Sequence, residues 1–159
     1  MTSTPMKIGM YLFPRMMTRK STPVVVTVSL ERVTVASADQ VLLDSPPAYL
    51  QVKPGKVTGA LTLIGNGNKF LLAGLGSNAA GSFTPEQEAE IYAAQQVAAQ
   101  DPQLQQLRLA QTFWVGRPVS ADGSYVGAIN SMLDGEGKAQ QEVGKIVVEA
   151  LSAAGTKLV

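Results

Sequence analysis

Histidine and cysteine are both absent from the 159 residues, so any chemistry must be built on carboxylates, hydroxyls and lysines. That composition removes thiol nucleophiles, disulfides, zinc sites of the usual kind and the Ser-His-Asp triad. Three routes remain: paired carboxylates, a Ser–Lys pair, or an all-carboxylate metal site. No Ser-x-x-Lys occurs. Glu86, Glu88 and Glu90 cluster at what reads as a helix start, where acids complement the positive end of the helix dipole. Asp134-Gly135-Glu136 lacks the further ligands of a calcium loop and reads as a helix boundary. Asp39 and Asp44 sit near turns, where Asp is common for local hydrogen-bonding reasons. No catalytic residue and no cofactor is implied.

Two further segments carry chemistry-bearing residues. Residues 74–81 are rich in Gly and Ala and lie between a strand pattern and a helix pattern. They lack both G-x-G-x-x-G and a terminal Gly-Lys-Ser/Thr, so a connector is expected. Ser77 and the loop amides would still offer an anion contact at the helix N-terminus. Residues 1–22 carry Lys7, Arg15, Arg19 and Lys20 with no acid, interleaved with Met, Tyr, Leu and Phe. Three readings fit this composition: a first strand over residues 8–13 with a solvated basic flank, a partner-docking segment, or a contact with an anionic membrane.

The elements that must position these residues divide near Gly81. Val24, Val26, Val28 and Leu30 alternate with Thr27 and Ser29, and the apolar parity flips at Glu31–Arg32, which places a tight turn or bulge there. Short strands follow at 33–35, 41–43, 49–52, 60–64 and 69–75. Asn66-Gly67 between the last two is a hairpin signal, because both residues tolerate the positive φ of a primed turn. Beyond Gly81 the pattern is helical. Thr84, Pro85 and Gln87 form a cap, an N1 proline and a capping box. Asp101-Pro102 repeats the cap signature and predicts a second helix bearing Leu104, Leu107, Ala110 and Trp114, with Phe113 beside them. Val143, Ile146, Val147, Ala150, Leu151 and Ala154 follow helical spacing up to Gly155. Residues 117–135 fit a short helix or a hairpin.

The expected fold is α+β. An antiparallel barrel or sandwich of six or seven strands is followed by three or four helices, all within one domain. In segments, residues 1–22 are basic, 23–82 form a β platform and 83–159 are helical. The stretch 22–75 resembles bacterial pleckstrin-homology-like domains. The likeness rests on the strand pair 24–37, the strand 41–47 into a Pro turn, the Lys53-Pro54-Gly55-Lys56 turn and the closing hairpin 61–75. It spans residues 7–100 if the helix from Thr84 plugs one barrel end. Such a family implies binding to peptides, proteins or lipid headgroups rather than catalysis.

Charge adds a layout. Residues 1–82 carry eight basic and three acidic side chains, and residues 83–159 carry five and nine, so +5 and −4 give the total of +1. The charged fraction is 16%, below the usual quarter or so, which favours a broad interaction surface or an oligomer. Specific nucleic-acid binding is not implied by so small an excess. No apolar run approaches the roughly 20 residues of a spanning helix, and the patch 8–13 does not make a secretory signal. A cytoplasmic location is expected. The leading expectation is a non-catalytic protein-binding or self-associating module, with Leu107, Phe113 and Trp114 as candidate docking residues. The first alternative is an anionic-membrane adaptor using Lys7, Arg15, Arg19, Lys20 and Ser77. The second is an enzyme using carboxylates on a phosphorylated or glycosyl ligand at the 74–81 loop.

Overall fold

The structure, a computed structural model, describes residues 4–13, 21–55, 59–74, 82–115 and 136–159, with 136–141 described as backbone alone. Among the described residues eight strands form one sheet: β1 (Met6–Phe13), β2 (Thr22–Val28), β3 (Val33–Ala36), β4 (Val41–Ser45), β5 (Gln51–Pro54), β6 (Leu61–Gly65), β7 (Asn68–Ala73) and β8 (Lys157–Leu158). Their order is β4-β3-β2-β1-β7-β6-β5-β8. Every pairing is antiparallel except β5 with β8. The expected barrel is therefore corrected to an open sheet. Pro46 and Pro47 stop β4 and pass the chain through a 3-10 turn at Pro47–Tyr49, since proline has no N–H to continue a ladder. The edge of β5 is then taken by β8, which returns from the last helix. The 49–52 strand accordingly begins only at Gln51.

Two hairpin features hold as read. Ser29 N–H donates to Arg32 O and closes the β2–β3 turn at 2.9 Å. Asn66 and Gly67 take φ values of 53° and 77°, the primed turn between β6 and β7.

Among the described residues there are two α-helices rather than three or four, α1 (Pro85–Ala98) and α2 (Glu136–Ala154). The capping box forms as predicted: Gln87 N–H donates to Thr84 Oγ1 at 3.0 Å and Thr84 N–H to Gln87 Oε1 at 2.9 Å. The helix expected from Asp101 is replaced by two 3-10 turns, Pro102–Leu104 and Arg108–Gln111. The apolar spacing of Leu104, Leu107 and Ala110 suits a threefold turn as well as an α-helix. The chain must also extend again so that residues 114–115 can lie beside β1. The 117–135 segment lies outside the described residues.

The two helices take opposite faces of the sheet. On the inner face α2 packs on β5 and β2, and its Val143, Val147, Ala150 and Leu151 join one buried cluster with Ile8, Met10, Val26, Leu63 and Leu72. On the outer face α1 packs along β1, with Ile91 and Phe83 buried against Val25 and Val115. Gly9 permits this closeness. A Cβ there would stand 2.8 Å from both the Phe83 ring and Val115 Cα.

Candidate docking surface

β1 pairs with β7 only over Tyr11, Leu12 and Phe13. Farther back, the amides of Lys7 and Gly9 lie beyond the last β1–β7 pair, Tyr11 with Ala73, and buried amides need acceptors. Gly9 N–H donates to Trp114 O at 2.8 Å. Lys7 N–H donates to Gln95 Oε1 at 3.0 Å, and Gln95 Nε2 donates onward to Leu109 O at 2.6 Å and to Thr112 O. Gln95 thus stands in for a missing strand and ties α1 to the turn after it.

This geometry settles where several predicted residues lie. Trp114 belongs to the core: its indole is buried, and Nε1 donates to Gly74 O at 3.2 Å. Phe113 is half-buried and meets Tyr92 edge-on with centroids 5.5 Å apart, while Leu107 is half-buried against the inner core. Lys7 pairs with Glu90 at 2.6 Å, and its neighbours Met6, Ile8 and Met10 point inward as a first strand requires. Asp44 pairs with Arg32 at 2.7 Å. Asp39 lies in the turn closed by Ser37 and Gln40. Arg15, Arg19, Lys20 and Ser77 lie outside the described residues. Among the described residues no three acids gather at metal-binding spacing, and no helix is long and apolar enough to cross a membrane.

What sequence reasoning missed is the outer face of β5, β6, β7 and β8. Because side chains alternate along a strand, cross-strand register alone decides which residues share this face. One row runs Lys157–Gln51–Ile64–Lys69, and the next runs Lys53–Thr62–Leu71–Phe13. α1 lies along β1, and no described helix covers these rows. Ile64, Leu71 and Phe13 are half-buried, while Gln51, Lys53, Lys69 and Lys157 are exposed. These four strands carry three lysines and no acid. None of the three lysines is in an ion pair among the described residues. At one end the rows open into a shallow groove of about 310 Å³ whose lining includes Gln51, Ile64, Lys157 and the Asn66–Gly67 turn. Tyr49 also lines it and is 78% exposed.

Beside this ledge stands α1. Its inward positions are Gln87, Ile91, Gln95 and Ala98. Its outward stripe is Ala89, Ala93 and Val97, all exposed, with Val97 at 61% and adjacent Tyr92 at 53%. Its charges are Glu86, Glu88 and Glu90, and no basic residue lies on it. The outer face therefore joins a basic, partly apolar ledge to an acidic helix with an apolar stripe. No protein-family model matches this chain, and its sequence matches no curated protein.

Proposed function

We propose that this protein is a non-catalytic interaction module that docks a protein partner on the ledge of β5 to β8 beside α1. The observation that carries the reading is the ledge itself. Three lysines without ion-pair partners among the described residues surround half-buried Ile64, Leu71 and Phe13 on a face no described helix covers. Lysine stems beside apolar side chains, with the ammonium groups in water, suit a partner that brings both carboxylates and apolar contact. The strand layout of residues 22–75, which resembles that of pleckstrin-homology-like domains, would imply binding as well, although the sheet is open and α1 lies along β1 instead of plugging a barrel end.

The test is a titration of isotope-labelled protein with an oligoglutamate peptide, and with oligoglutamine as control. Amide shifts at Gln51, Ile64, Lys69 and Lys157 are expected with the acidic peptide alone. They should weaken as salt rises and vanish in K53E/K69E/K157E. Shifts that persist unchanged in that variant, or no shifts at all, overturn the reading. Co-sedimentation with anionic but not neutral vesicles, lost in the same variant, would replace the protein partner with a lipid surface.

A further inference from the structure

We infer that the partner segment taken by the ledge is an extended chain with two acids four residues apart and one apolar residue midway. It lies across the strands over the row Lys157–Gln51–Ile64–Lys69. The inference rests on the docking reading above and names the chemistry of its partner. Register puts the four residues on one line across four strands. Gln51 pairs with Lys157 on one side and with Ile64 on the other, and Ile64 pairs with Lys69. Side chains of directly paired residues share a face of the sheet. The row therefore carries an ammonium group at each end, with an amide and an apolar side chain between them. Lys157, Gln51 and Lys69 are exposed and Ile64 is half-buried. Neither lysine has an ion pair among the described residues. The groove of about 310 Å³ is lined by both middle residues of the row, Gln51 and Ile64, together with Lys157 and the exposed Tyr49. A tyrosine ring there adds apolar area with a polar tip.

The spacing of the partner follows from two repeats. Neighbouring strands lie about 4.8 Å apart, so the positions of Lys157 and Lys69 are about 14 Å apart. An extended chain rises about 3.4 Å per residue and returns to the same face at every second residue. Acids at its first and fifth residues are then also about 14 Å apart and meet the two lysines. Its third residue falls at the middle of the row, where Ile64 and Tyr49 offer apolar contact. Gln51 supplies a donor and an acceptor for the backbone that crosses it. A helix would need about nine residues for the same span and would set several apolar side chains over the row, not one. Lys53 lies two residues farther along β5, in the row of Thr62 and Leu71, and so stands off this path.

Titration of isotope-labelled protein with three short peptides tests this. Their ends are acetylated and amidated, so the glutamates alone carry charge. The first is Glu-Thr-Leu-Thr-Glu. The second, Glu-Thr-Glu-Thr-Leu, has the same composition with its acids only two residues apart. The third, Glu-Thr-Thr-Thr-Glu, lacks the apolar residue. The first should bind at least about threefold more tightly than either of the others. Lys69→Glu and Lys157→Glu should each weaken it at least about threefold, and Lys53→Glu should weaken it less than either. Tyr49→Ser, an exposed substitution, should narrow the preference for the first peptide over the third and leave the oligoglutamate shifts unchanged. Unaltered amide spectra away from the ledge show that the variants are folded. Equal affinity for the first two peptides overturns the crossing path, as does a loss at Lys53→Glu as large as at the other two lysines. If all three peptides and oligoglutamate shift the ledge alike, the crossing path falls and the docking reading stands. If none of them shifts the ledge, both fall.

Discussion

The two helices sit on opposite faces of one sheet and solve opposite problems. α2 buries Val143, Val147, Ala150 and Leu151 in the larger core and is clamped at its flank by Arg108, whose Nη1 lies 2.9 Å from Glu142 and Nε 3.3 Å from Glu149. α1 turns two glutamines and only two apolar residues inward, and leaves Ala89, Tyr92, Ala93 and Val97 exposed. Its anchors are polar, with Gln87 Nε2 donating to Pro23 O and Gln95 bridging β1 to the turns beyond the helix. Hydrophobic burial thus dominates under α2, whereas hydrogen bonds from Gln87 and Gln95 carry more of the hold on α1.

The largest expected effect is on the α2 side. Leu151→Ala removes a fully buried side chain and should cost about 3 kcal/mol in urea unfolding, the usual range for such cavities. On α1 the comparison is sharpest at Gln95. Gln95→Leu keeps the bulk but strands the Lys7 amide without its acceptor and leaves the Leu109 and Thr112 carbonyls without this donor. A loss of about 2 kcal/mol should follow, from unsatisfied groups rather than lost apolar contact. Were Gln95→Leu neutral, α1 would be held by burial after all and the contrast would fall. Outward substitutions on α1 come next: Val97→Arg should change unfolding free energy by under about 0.5 kcal/mol.

The smallest effect belongs to the α2 clamp. The Arg108 hydrogen bond, aided by the charge of Lys145, holds the Glu142 carboxyl below its ordinary range. A lowered folded pKa means the contribution is complete above the ordinary glutamate range and is lost as pH falls through the lowered value. Glu142→Gln should therefore lose less stability than wild type on acidification across that window, with the two proteins' melting temperatures converging at the acidic end.

Sequence showed most where the signal is local. The capping box at Thr84 and Gln87, the Asn66–Gly67 hairpin and the apolar face of α2 each lie within a few residues or one helical period. It showed least where tertiary contacts decide. The 3-10 turns after Asp101 share the threefold spacing of a helix, and the need to deliver Trp114 to β1 overrides helix propensity. β8 is two residues long and carries no period. The lysine-bearing ledge was hidden for the same reason. Lys53, Lys69 and Lys157 are far apart in the chain, and only the register of β5, β6, β7 and β8 brings them to one face. An apolar helix face reads the same whether it meets a partner or a core, and here Trp114 is buried in the core while Leu107 is half-buried at its edge.

The most direct test of the role proposed for the ledge is the oligoglutamate titration followed at every amide of the wild-type protein at low salt. Shifts gathered at Gln51, Ile64, Lys69 and Lys157, with α2 unmoved, are the result the proposal predicts. No shifts, or shifts gathered on α2 or the β4 edge, would contradict it.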